Sequence, residues 1–193
     1  AGAHGAFTVA VDYGDGTLHV LVHETIHQWA GARVTPASEL DFTWKEAIAE
    51  YRRSIAIRPT AAALSNLGSC EFVLGRYTEA AESFERALAL QANHALLWRN
   101  LGDALRWAGG REAEALAAYE RTVELLAADL QVTPGDAERQ VELALALSRT
   151  GRRERAREHV DRALELAPGD GVVLYQAALV RLAADEADPA LDL

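Results

Sequence analysis

Four stretches of the chain set apolar residues on one helical face with polar residues between them: WKEAIAEYRRSIAIRP (44–59), YTEAAESFERALALQA (77–92), REAEALAAYERTVELL (111–126) and RERAREHVDRALELAP (153–168). In each, a small residue is followed four positions later by a bulky one and three after that by another small one. In order these are Ala47, Tyr51, Ser54; Ala80, Phe84, Ala87; Ala115, Tyr119, Thr122; and Ala156, Val160, Ala163. Steps of three and four return to one side of an α-helix, so each stretch predicts an amphipathic helix. A fifth begins at Ala190 and is cut short.

Each of these helices is paired with another of different pattern: LSNLGSCEFVLGRY (64–77), LWRNLGDALRWAGG (97–110), VELALALSRTG (141–151) and VLYQAALVRLAAD (173–185). Here the small residues Gly68, Gly102, Ala144 and Ala178 are expected where two antiparallel helices approach most closely. Glycines 75, 109, 110 and 151 supply the left-handed backbone of the turn between helices. Pro59, Pro134 and Pro168 end the second helices, because proline cannot continue the hydrogen-bond ladder.

The leading alanines recur at intervals of 33, 35, 41 and 34 residues. A helix pair repeated at about 34 residues, with this small–bulky–small order, resembles the tetratricopeptide repeat. The longer interval is explained by a third second helix running on through Leu125 to Leu130. The resemblance covers about three quarters of the chain and implies a mainly α fold: a tetratricopeptide-type α-solenoid over residues 44–193, its last repeat truncated. It also implies a groove lined by the first helix of each pair, taking a peptide or extended segment of another protein. Projecting the helical period onto the first helices places Asn66, Arg99, Asn100, Asp103 and Arg106 toward that groove, where amide and guanidinium groups can hold a peptide backbone or a carboxylate. Trp98 and Trp107 have the form of aromatic platforms, although Trp98 falls at a packing position of the repeat.

Residues 1–43 lack the repeat pattern. FTVAVDY (7–13) and TLHVLV (17–22) alternate in polarity around the turn signal GDG (14–16), which predicts a short N-terminal β-hairpin. Then comes His23-Glu24-Thr25-Ile26-His27. On a helix, histidines four apart share a face and can bind one Zn²⁺, with Glu24 positioned to take a proton from metal-bound water. HETIHQWAGARVT (23–35) resembles the zinc-helix region of gluzincin aminopeptidases at His23, Glu24, His27, Gln28, Trp29, Gly31, Val34 and Thr35. That resemblance implies a third ligand after 18 intervening residues, which is Glu46, with Asp41, Ala49, Glu50 and Tyr51 matching around it. Ala47 stands where the family has Gly, and the family's substrate-amine loop has no counterpart. Glu46, Ala47 and Tyr51 also satisfy the repeat register, so both assignments stay open.

Composition narrows the function classes. A net charge of −10 with no long basic run disfavours nucleic acid and anionic lipid as partners. The one cysteine, Cys70, excludes an intrachain disulfide, and no segment reaches the roughly 18 apolar residues of a membrane span. A soluble protein is expected, with the cytoplasm favoured. The absence of Met and the stop partway through a repeat suggest a piece of a longer protein. Two functional expectations follow. One is a protein-binding solenoid joined to a gluzincin-like zinc segment with His23, His27 and Glu46 as ligands and Glu24 as catalytic base. The other is a pure interaction module, similar to repeat regions that follow bacterial signalling kinases, with no metal and no catalysis.

Overall fold

Eight α-helices follow one another through residues 37–185, the part of the chain that the computed structural model describes. They are α1 (Ala37–Ile57), α2 (Ala61–Val73), α3 (Tyr77–Leu90), α4 (Ala95–Ala108), α5 (Glu112–Val132), α6 (Ala137–Arg149), α7 (Arg153–Leu166) and α8 (Gly171–Asp185). There is no strand among the described residues. The expected β-hairpin lies outside them, as do His23, Glu24 and His27. The chain divides into two units, Ala1–Lys45 and Glu46–Leu193, and the architecture below is that of the second.

The helix boundaries follow from local chemistry. Thr60 Oγ1 accepts from the Ala63 amide at 3.1 Å, and Asp136 Oδ1 accepts from the Arg139 amide at 3.0 Å. Asp170 Oδ1 accepts from the amides of Val172 and Val173 at 2.8 and 3.0 Å. These caps satisfy first-turn N–H groups that have no partner inside the helix. At the turns after α2 and α6, Gly75 and Gly151 hold φ of 73° and 78°, a region costly for residues with a Cβ. The second helices stop two residues before Pro59, Pro134 and Pro168, and α5 extends to Val132, which accounts for the enlarged repeat interval.

Packing is between neighbours. α2 pairs with α3, α4 with α5 and α6 with α7; α3 and α5 each pack on the following pair, and α8 rests on α6 and α7. The short turns make paired helices antiparallel. Two apolar cores result, one around Leu64, Phe84, Leu101 and Tyr119 and the other around Leu126, Val141, Leu147, Val160 and Val173. The small and bulky positions interlock across each pair. A Cβ on Gly68 would stand 2.9 Å from the Phe84 ring, and one on Gly102 would stand 2.7 Å from that of Tyr119. In the third pair, alanine at 144 is accompanied by the smaller Val160, both fully buried.

The fourth small position departs from expectation. Ala178 is exposed, and α8 buries Val173, Ala177 and Val180 instead. The other small positions are buried by the second helix of their own pair.

Candidate protein-binding groove

The repeat register carries side chains on successive first helices to equivalent places. Asn66 on α2 and Asn100 on α4 lie two residues before Gly68 and Gly102. Both are half-buried, and Asn66 sits beside the Tyr51 hydroxyl. Arg99, Asp103 and Arg106 share one face of α4 with Leu96; Arg99 and Asp103 are half-buried and Arg106 exposed. The five groove residues expected from sequence therefore occupy two neighbouring first helices.

Their states of engagement differ. Tyr119 Oη donates to Asp103 Oδ1 at 2.7 Å, and Arg149 Nε on α6 lies 3.8 Å from the same oxygen. Burial first, and then the Asp103 carboxylate, raise the Tyr119 phenol well above its ordinary pKa, so it stays a donor. Asp103 thus acts as a bracket that ties α4 to α5 and holds Arg149 on the row. By contrast, Arg99, Asn100 and Arg106 make no side-chain hydrogen bond or ion pair among the described residues. Several arginines elsewhere are engaged: Arg111 with Glu85 and Glu114, Arg121 with Glu124, Arg152 with both oxygens of Glu120.

Aromatic and apolar groups flank these cations. Trp107, beside Arg106, is 62% exposed and stacks on Tyr77 with centroids 5.8 Å apart; Tyr77 meets Phe72 edge-on at 5.2 Å. Trp98 is the packing tryptophan, half-buried against the core with Nε1 donating to the Ala92 carbonyl at 2.7 Å. On α8, the residues equivalent to Leu96, Arg99, Asp103 and Arg106 are Val172, Tyr175, Leu179 and Leu182, all exposed. The row changes from cationic on α4 to apolar on α8. Trp107 was singled out from the sequence as an aromatic platform, whereas its stacking partner Tyr77 and Arg149 were not. Trp107 and Arg149 do share a register position, each five residues after its small residue.

Glu46, the expected third zinc ligand, is exposed on α1. No group of three or more His, Cys, Asp or Glu suited to a metal occurs among the described residues. Nor is any described helix long and apolar enough to cross a membrane. Of the other histidines, His159 is half-buried with Nδ1 2.6 Å from Gln140 Oε1. His94 immediately precedes α4.

Comparison with known families matches the tetratricopeptide repeat at residues 59–128 and again at 137–170. These residues are tetratricopeptide repeats. Among solved structures, a crystal structure of MamA is 25% identical, covering 65% of this chain and 69% of that chain with a TM-score of 0.45. A second MamA crystal structure is 25% identical, covering 65% and 64% with a TM-score of 0.44. The first tetratricopeptide domain of Spaghetti (RPAP3), bound in that structure to the HSP90 peptide SRMEEVD, is 19% identical, covering 65% and 93% with a TM-score of 0.43. Comparison with curated proteins gave no match. The first helices of these repeats are α2, α4 and α6, which carry the row described above.

Proposed function

We propose that the tetratricopeptide repeats bind an extended segment of a partner protein along the first-helix row. Asn66 and Asn100 hold its backbone, Arg99 and Arg106 hold acidic groups, and the apolar end on α8 takes hydrophobic side chains. The observation that carries this is that Arg99 and Arg106, on one face of α4, have no ion pair among the described residues in a chain with ten more acidic than basic residues. Cations left without a carboxylate amid such an excess are available for an anionic ligand, and guanidinium holds carboxylate in a planar fork. A fluorescein-labelled peptide of alternating Glu and Leu tests it by anisotropy, against the same peptide with Lys for Glu. Only the acidic peptide binds, and Arg99→Ala with Arg106→Ala weakens it by about tenfold or more, whereas Arg157→Ala with Arg162→Ala on α7 leaves it unchanged. Equal binding of the lysine peptide, or an unaltered double variant, contradicts the proposal.

A second proposal, zinc held by His23, His27 and Glu46 with Glu24 as base, is supported by the motif spacing. It is also supported by the exposed Glu46 carboxylate, which makes no hydrogen bond or ion pair with another described residue. One equivalent of zinc, lost in His27→Ala and in Glu46→Ala, is the expected result of metal analysis. Metal-free protein after growth in zinc and purification without chelator contradicts it.

A further inference from the structure

A second surface lies on other elements, α1, α3 and the buried side of α2, and it centres on a carboxylate in an apolar position. Glu71 stands three residues after Gly68. Its register equivalents after Gly102 and Ala144 are Leu105 and Leu147, which are 2% and 0% exposed and fill the core of their pairs. Glu71 is just as buried, at 2%. Two of its repeats thus show what packing alone prefers at this place, and Glu71 is not it. A buried carboxylate is unfavourable unless paired and hydrogen-bonded, and replacing a buried ion pair by apolar groups of similar volume is often neutral or stabilising.

Glu71 faces a cavity of about 410 Å³, within the range of small-ligand pockets. Ile55, Ala56 and Leu67 supply apolar lining, while Glu79, Glu82 and Arg86 line it from exposed positions on α3. Two groups meet the carboxylate: Ser83 Oγ donates to Oε2 at 2.6 Å, and Arg52 Nη2 donates to Oε1 at 3.1 Å. The Ser83 contact is buried. The Arg52 side chain, in contrast, is 57% exposed and reaches in from α1 through one contact, so it can swing out. The cavity therefore already holds a guanidinium, loosely, on a buried carboxylate. With three carboxylates and two guanidiniums lining it, the charge balance favours a further cation over an anion.

We propose that this cavity receives an arginine side chain presented by a partner protein. The incoming guanidinium displaces Arg52 from Glu71, its methylene stem packs on Ile55 and Leu67, and Glu82 and Glu79 face it at the mouth. Arg52 is then a tethered competitor that keeps the carboxylate paired when no partner is bound.

The test is a titration of the whole chain with acetyl-Gly-Arg-Gly-amide, followed by backbone amide shifts, against the same peptide with citrulline, the neutral isostere of arginine. The arginine peptide produces saturable shifts at Leu67, Glu71 and Ser83, and the citrulline peptide does not. Glu71→Gln, which preserves shape and can still bond Ser83, weakens binding by about tenfold or more. Arg52→Ala strengthens it. Glu71→Leu abolishes it while melting at or above the wild-type temperature. The proposal is overturned if the two peptides bind alike or neither binds, or if Arg52→Ala weakens binding. A Glu71→Leu protein that melts well below wild type also overturns it, since the carboxylate would then be a structural staple.

Discussion

Gly102 presents its bare α-carbon to the Tyr119 ring so closely that a methyl group there would stand 2.7 Å from Cε1. The ring cannot easily withdraw, because its hydroxyl is held by Asp103 at 2.7 Å. The contact that packs one helix pair is therefore continuous with the hydrogen bond that fixes a groove residue.

Gly102→Ala tests that continuity. Alanine gains about 1 kcal/mol of helix propensity over glycine, but overpacking of a tight core costs about 1–3 kcal/mol, and the tethered ring puts this site toward the upper end. A net loss of about 1–2 kcal/mol in urea unfolding is expected. A variant as stable as wild type would mean that the helices part without cost.

Tyr119→Phe leaves the ring and removes the donor to Asp103. The expected loss is about 1–2 kcal/mol, since the acceptor is charged but only partly buried. Asp103→Ala in the Tyr119→Phe background should then cost less than Asp103→Ala alone, because the bond is already gone. Additive losses in this double-mutant cycle would show that the two side chains act separately.

Cys70 is fully buried, and burial, with Glu71 next to it, pushes its thiol up to about 12. Thiolate is the reactive form, so the native protein should not react with a disulfide reagent at about pH 8 and should react fully once unfolded in urea. Prompt reaction of the native protein would contradict the packing of α2 described here.

His159 contributes sensitivity to mild acid. Burial, and then Arg155, lower its pKa from the ordinary 6.5, and its Nδ1–H donates to Gln140, whose amide donates to the Pro134 carbonyl at 2.9 Å. The unfolded chain binds this proton more readily than the folded one. The stability involved is present above the unfolded pKa of 6.5 and is lost as pH falls from there toward the lowered folded value. His159→Gln should therefore lose less melting temperature than wild type between about pH 7.5 and 5.5. Parallel curves for the two proteins would contradict this.

The fold was legible in the sequence because its contacts recur at fixed offsets. Gly68 meets Phe84, and Gly102 meets Tyr119, within single repeats of near-constant length. Ala178 was misplaced by the register: α8 packs on α6 and α7 through Val173, Ala177 and Val180 instead. The groove was legible as five residues on α2 and α4, but not in its engagement. Asp103 and Arg149 are brought together by the stacking of successive first helices, and the Tyr77–Trp107 stack also joins two different repeats. Glu71 was hidden because a single glutamate in a helix suggests a solvated surface; only the burial of its equivalents, Leu105 and Leu147, marks it as unusual.

The most direct test of protein binding along the first helices is to map the site by backbone NMR on addition of the Glu–Leu peptide. Saturable shifts are expected at Asn66, Leu96, Arg99, Asn100, Arg106, Arg149 and Tyr175, with α7 silent. Shifts gathered on α7, or none at concentrations where anisotropy detects binding, would contradict the account.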